Sequence, residues 1–292
     1  MHKAIGGVAA ATILLMFAGR AAAAELKSST LDAWHRFVDS AQQRMQARLQ
    51  EGAHFLWSDD DPDRADRLRQ GEIEVSPLVH HGWQNASGGL IHDWIGAAFI
   101  PDANIEDLLS VIENYDRYKD IFKPVVIDSK LQRQTDGSDL FSMRWLHRAL
   151  FVTAAMDTQN ESRTYRVDPC RAYTISRTTN VREIENFGQS DQRELPPDTG
   201  NGFIWRLSSI SRYEQRDGGL YVEVEAMALT RDIPLSLRFM IKPVVMELSR
   251  NSLKTTLEQT RSAVHDTQIA RAAGNAPKGD FALLMRARPK GR

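Results

Sequence analysis

Apolar positions along the chain recur with two different periods, and the periods sketch an architecture before any single residue is considered. From Leu31 onward, Leu31, Trp34, Phe37, Val38, Ala41, Met45 and Leu49 return every three or four positions, the stripe of an amphipathic helix that Gly52 ends. A shorter helix follows, with Asp61 as its N-cap, Pro62 at its first position and Gly71 at its end. Asp59, Asp61 and Asp63 are spaced like the opening of a calcium loop. Arg64 and Gln70 nevertheless stand where such a loop needs its turn glycine and its closing glutamate. Residues 72–78 form a short strand, and the segment from His80 to Gly89 has turn chemistry. Residues 90–100 form a strand, and Pro101-Asp102-Ala103-Asn104 leads straight into Ile105, Leu108, Leu109, Ile112, Tyr115 and Tyr118, again at helical spacing.

Strand-like runs then occupy 125–132, 140–150, 161–167, 172–184, 202–214 and 220–230. The last two make a hairpin around Asp217-Gly218-Gly219. Beyond Pro234 the pattern turns helical to about Val264, with a break expected near Lys242-Pro243 because proline removes a helix hydrogen bond. Strand, helix, a run of antiparallel strands and a closing helix predict one α+β domain. Its curved sheet must bury a face against that last helix.

Composition narrows the setting. Lys and Arg number 37 against 38 Asp and Glu, for a formal charge of −1, which is not the balance of a nucleic-acid binder. The single Cys excludes an intramolecular disulfide and a Cys-based zinc or iron–sulfur site. Met1-His2-Lys3, the apolar run to Gly19 and the small residues Ala22-Ala23-Ala24 have the form of a cleaved signal peptide over residues 1–24, so the mature chain is expected to be exported, periplasmic or secreted. In the tail, 266–292, the bases Arg271, Lys278, Arg286, Arg288, Lys290 and Arg292 outnumber Asp266 and Asp280. Phe281 to Met285 ahead of four of those bases could touch an anionic membrane surface. Otherwise the tail is a flexible, solvated end.

A strand entering a helix as Phe99-Ile100-Pro101-Asp102-Ala103, then Tyr115-Asp116-Arg117-Tyr118-Lys119-Asp120-Ile121-Phe122-Lys123-Pro124 and Val126-Ile127-Asp128-Ser129, resembles the START-like superfamily, also called SRPBCC. Leu229-Thr230-Arg231-Asp232-Ile233-Pro234 leading to a helix that ends near Ser252-Leu253-Lys254-Thr255-Thr256-Leu257 is similar to the same group. The resemblance rests on element order and short patterns, not on a catalytic motif. It implies a helix-grip fold over residues 72–265, in which an antiparallel sheet wraps a long C-terminal helix around a hydrophobic cavity. Members bind sterols, phospholipids, isoprenoid or polyketide-like molecules, and some are cyclases. Residues 25–71, an N-terminal helical extension, lie outside that pattern.

Within this frame several side chains are candidates for ligand contact. Phe141, Met143, Trp145 and His147 alternate along one face of a strand, with His147 able to present a polar tip or act as a base near neutrality. The row Phe203, Trp205, Leu207, Ser209, Ser211 and Tyr213 is read as facing inward, together with Val222 and Val224 from the hairpin and Phe239 from the closing helix. Arg163, Arg166, Arg171, Arg177 and Arg182 form a solvated face expected to pair with Glu183, Glu185, Glu223 and Glu225. Alternatively Arg177 enters the pocket to meet a carboxylate or phosphate. His80, His81 and His92 do not make a metal site, because adjacent histidines on a strand point apart, and Cys170 is expected to be a buried, inert thiol. No cofactor, nucleotide-loop or nucleophile-elbow motif occurs, and no catalytic residue is assigned. The leading expectation is a binder of a hydrophobic or amphipathic small molecule. The alternatives are a cyclase- or hydrolase-like enzyme in the same cavity, and a protein-interaction module whose cavity is filled.

Overall fold

The computed structural model describes residues 24–135, 137–149, 152–232 and 235–273, the stretch 235–245 by its backbone alone. Most of the expected signal peptide and of the basic tail therefore falls outside the described residues. The helices are α1 (Ser28–Ala47), α2 (Pro62–Arg69), α3 (Ile105–Ile112), α4 (Tyr118–Ile121) and α5 (Leu235–Ala272). The main strands are β1 (Glu74–Pro77), β2 (Trp83–Ala86), β3 (Gly89–Pro101), β4 (Val126–Gln134), β5 (Asp139–Ala149), β6 (Val152–Asp168), β7 (Arg171–Glu185), β8 (Arg206–Arg216) and β9 (Gly219–Arg231). Through-space order is β1-β3-β9-β8-β7-β6-β5-β4, with β2 also pairing β3 and every pairing antiparallel. The sheet is open, and α5 lies across one face of it. This is the α+β helix-grip arrangement.

Local chemistry accounts for the elements. Asp61 accepts from the Asp63 amide at the start of α2, and Asn104 and Asp107 form a reciprocal capping box on α3. Asp217 and Gly218 carry φ of 54° and 74°, the paired positive values that a tight β8–β9 hairpin needs. Register shifts at 126/128 and 131/133 in the β4–β5 ladder, and at 159/160 and 166/168 in the β6–β7 ladder, bend the sheet around the helix. Where α5 presses closest there is no room for a side chain. A Cβ on Gly96 would stand 2.7 Å from Leu257 Cδ1 and 3.0 Å from Leu253 Cγ.

Around β3, β8 and β9 both faces of the sheet are covered. On the inner face, Trp94, Ala98 and Ile100 of β3 and Leu220 and Val222 of β9 pack against Leu253, Leu257 and Val264 of α5. On the outer face, Trp34, Ala41 and Met45 of α1, with Phe55, Leu56 and Trp57 after it, pack on Ile91, Ile95, Phe99, Ile210, Tyr221 and Met227. The apolar stripe of the N-terminal extension is thus spent against the sheet itself. Strand β3 is buried from Gly89 to Ile100 without alternation because it is sandwiched between the two layers.

A charged cluster enters the outer core. Arg212, 2% exposed, lies between Glu223 and Glu225, with Nε 3.2 Å from Glu223 Oε2 and Nη1 3.6 Å from Glu225 Oε2. Arg44 reaches in from α1 to Glu225 at 2.8 Å and to Asp93 at 3.5 Å.

Several sequence expectations need correction. Helix α5 runs unbroken through Pro243 and on to Ala272, since losing one hydrogen bond does not stop a 38-residue helix packed along a sheet. The helix expected from Ile105 to Tyr118 ends at Ile112 and restarts as a short 3-10 turn and α4. Strand β6 begins nine residues earlier than its apolar pattern indicated, at Val152, because Thr158, Asn160 and Ser162 are buried by pairing rather than by side-chain hydrophobicity. Cys170 is exposed, in the turn where Asp168 accepts its backbone amide at 2.8 Å. The middle-strand arginines pair with other acids than those foreseen: Arg166 with Glu106, Arg171 with Asp168, Arg177 with Glu161 and Arg182 with Glu194.

Candidate functional site

Between the inner face of the sheet and α5 lies a cavity of about 440 Å³, within the ~300–1,000 Å³ span usual for small-molecule sites. Its walls are apolar. Phe141, Met143 and Trp145 of β5 form one side with Val126 of β4, while Tyr118 and Phe122 close it from α4 and the turn that follows. Tyr115 stacks on Phe141 with ring centroids 4.1 Å apart, and Tyr118 meets the same ring edge-on at 5.9 Å. Val222 and Val224 of β9 complete the far side. Leu248 of α5, 48% exposed, borders the opening.

The floor differs from the walls. Strands β6, β7 and β8 each contribute a pair of hydroxyls, Ser162 and Thr164, Thr174 and Ser176, Ser209 and Ser211. They meet in register, with Ser162 opposite Ser176, Thr164 opposite Thr174 and Thr174 opposite Ser211. Thr164 and Thr174 share a hydrogen bond of 3.0 Å. The roof is polar too, because α5 turns Ser252, Thr255, Thr256 and Thr260 toward the cavity. Thr256 and Thr260 return their hydroxyls to carbonyls one turn earlier, at 3.0 and 2.9 Å. Such a cavity suits a molecule with an apolar body and oxygen or nitrogen functions along one edge.

Among the described lining residues, Glu113 is the one acid and His147 the one histidine, and no Lys or Arg lines the cavity. Burial raises Glu113 above the usual carboxylate range, opposed by a hydrogen bond from Thr164. Nearby, Tyr115 donates to Asp139 at 3.1 Å, and burial raises Asp139 as well. Burial also pushes Tyr213 up to about 12, so its hydroxyl stays protonated as a donor. No cluster of three or more potential metal ligands occurs among the described residues.

Of the side chains singled out from sequence, the structure brings Phe141, Met143, Trp145, His147, Val222 and Val224 together around this cavity, with Ser209, Ser211 and Tyr213 of the inward row. Four others lie elsewhere. Arg177 neighbours the cavity-facing Ser176 on an alternating strand, so it points to the opposite face, where it binds Glu161 at 2.7 Å. Trp205 belongs to the outer core, and its backbone amide bonds Leu229. Strand β8 starts only at Arg206, after a bend in which Gly202 has φ of 68°, so alternation cannot be extrapolated back to Trp205 or Phe203. Phe203 gives its backbone amide to Glu183 at 3.0 Å. Leu207 shares the face of Ser209 and Ser211 but does not line the cavity. The side chain of Phe239 lies outside the described residues. Ser209 and Ser211 belong to the row expected to face inward, whereas the rest of the hydroxyl floor, Glu113 and the α5 roof escaped sequence reasoning. The available signal was the recurrence of Ser and Thr at alternate positions within strands otherwise rich in branched and aromatic residues.

No family model matches the chain, and no curated protein matches it. Solved structures do. A STAR-related lipid transfer protein from Xanthomonas axonopodis is similar at 16% identity, over 63% of this chain and 99% of that one, with a TM-score of 0.42. Human StAR-related lipid transfer protein 5 is similar at 12% identity, over 72% and 95% of the two chains, with a TM-score of 0.38. The Zhui aromatase/cyclase of a Streptomyces species is similar at 12% identity, over 64% and 99%, with a TM-score of 0.36. In this chain, too, an antiparallel sheet grips a C-terminal helix.

Proposed function

We propose that the chain is an exported protein that binds a hydrophobic or amphipathic small molecule, such as a lipid, an isoprenoid or a polyketide-like compound, between the sheet and α5. The observation that carries this reading is the cavity of about 440 Å³ with aromatic and aliphatic walls over a floor of paired hydroxyls. Affinity would come from burying hydrocarbon, at about 0.8 kcal/mol per methylene. The hydroxyls of β6, β7 and β8 would orient the polar part. Export rests on the signal-like start of the chain, and the basic residues near its end would allow contact with an anionic lipid surface.

A catalytic reading has less support. Glu113 and His147 stand at opposite ends of the β5 row, since Glu113 sits by Tyr115 and Phe141, six residues along the strand from His147. Six residues of strand span about 20 Å, too far for an acid and a base to share one reacting atom.

The test is organic extraction and mass spectrometry of the protein purified from its exported compartment, beside the Ser209→Trp variant, whose indole would fill the middle of the floor. The reading expects a lipid-like molecule near one per chain in the wild type and its loss from the variant. Equal amounts in both would place the molecule elsewhere and overturn it.

A further inference from the structure

The cavity has chemically unlike ends. At one end of the β5 row stand Trp145 and His147, with Val125 accepting the amide of Leu146 between them; at the other, by Phe141 and its stacking partner Tyr115, stands Glu113. Glu113 is the residue that ends α3, where its amide bonds the Leu109 carbonyl. Its carboxylate receives the Thr164 hydroxyl, whereas a carboxylate offers about four acceptor positions. The neighbouring groups do not fill them. Tyr115 donates to Asp139, and Arg166 is committed to Glu106 at 2.5 Å. Half-buried beside an apolar cavity, the Glu113 carboxylate loses water as a ligand enters and is costly to cover unless the ligand supplies a donor. Burial and the facing Asp139 carboxylate accordingly raise its proton affinity, against Thr164 and Arg166.

We propose that Glu113 contacts the head of the ligand, and that the ligand is an amphipathic amine or alcohol whose polar end donates hydrogen bonds, not a carboxylate or phosphate. This deepens the binding reading above and rests on it. An anionic head would face Glu113 with no Lys or Arg among the described lining residues to neutralise it. The sequence-derived expectation of an anion held by Arg177 ends with that side chain on the opposite face of the sheet. An ammonium or hydroxyl supplies the missing donors, and a hydrocarbon body then extends past Phe141 and Met143 toward Trp145. That span is about 20 Å from the β5 spacing, enough for a long chain or a fused-ring skeleton.

The test is competition against a solvatochromic apolar dye bound to the full mature protein, with dodecylamine, dodecanol and dodecanoate held below their micelle concentrations. The amine and the alcohol are expected to displace the dye at concentrations at least about tenfold lower than the acid, a difference of about 1.4 kcal/mol. Glu113→Gln should cut the amine-over-acid ratio by about tenfold or more, and Glu113→Asp, which keeps the charge, should retain much of it. Equal or tighter binding of dodecanoate by the wild type overturns the proposal, as does an unchanged ratio in Glu113→Gln. Dye that binds but yields to none of the three also overturns it, while the cavity reading stands. Failure of the dye itself to bind would remove the cavity reading and this inference together. Should Glu113→Gln fail to fold, the wild-type ratio decides the matter.

Discussion

Glu223 Oε2 lies 2.8 Å from the backbone nitrogen of Trp57, a residue 166 positions earlier in the chain, and its other oxygen takes the Ser58 amide at 2.8 Å. The same carboxylate faces Arg212 on the adjacent strand. One buried side chain therefore ties the N-terminal layer to the sheet and neutralises a buried guanidinium. Glu223→Ala would orphan two amides and Arg212 at once. Urea unfolding should show a loss of about 3–5 kcal/mol, and a loss below about 1 kcal/mol would mean that solvent reaches the site.

The same layer predicts the behaviour of a chain that starts at Glu72. Removing residues 25–71 would uncover Ile91, Ile95, Phe99, Ile210, Tyr221 and Met227 on the outer face. The truncated protein is expected to aggregate in light scattering. A soluble monomer with native near-UV circular dichroism would show that the extension is an accessory.

Two buried groups on β3 should give opposite pH signatures. Burial, and then the Glu225 carboxylate, push Asp93 up to about 7, whereas burial pushes His92 down to about 4. Between the unfolded value of 3.8 and about 7, folded Asp93 keeps a proton that the unfolded chain releases, so rising pH costs stability. Between about 4 and the unfolded value of 6.5, unfolded His92 takes a proton that the folded form refuses, so falling pH costs stability. Relative to wild type, Asp93→Asn should gain stability as pH rises through the Asp93 window. His92→Gln should gain stability relative to wild type as pH falls through the His92 window. Each slope is on the order of 1.4 kcal/mol per pH unit at most. Denaturant midpoints across pH would check this, and parallel profiles for all three proteins would contradict it.

Gly96 sets how closely α5 approaches the sheet. Gly96→Ala would drive a methyl against Leu253 and Leu257, and overpacking of this kind costs about 1–3 kcal/mol. Thermal unfolding should register the loss. An unchanged midpoint would mean that the helix shifts outward freely, and the cavity volume would change with it.

Much of this was legible in the chain because it was written in periodicity. The β8–β9 hairpin, with Asp217-Gly218 between alternating rows, and the Phe141-to-His147 face are decided by local rules that tertiary contacts reinforce. What escaped detection depends on long-range contacts. The unbroken apolar run of β3 signals burial on both sides, yet nothing local says that α1 is the second cover. For Arg177 the solvated, paired face holds, and the alternative of a headgroup contact fails because alternation from Ser176 turns it away from the cavity; Trp205 is misplaced because alternation is extended past the end of its strand. Alternation assigns a face only inside a strand whose ends and bulges are known. Ser209 and Ser211 are legible as inward-facing, but the serines and threonines of β6 and β7 become a floor with them only once β6, β7 and β8 lie side by side.

The central claim is that the space between sheet and helix is a binding site, and equilibrium titration of an apolar solvatochromic dye tests it most directly. The measurement is made on the wild type and on Ser209→Trp, both shown to be folded by thermal unfolding. The account predicts saturable binding near one dye per wild-type chain, weakened by about tenfold or more in the variant, which is about 1.4 kcal/mol. Binding of equal strength in both proteins, or no saturable binding to the wild type, would contradict it.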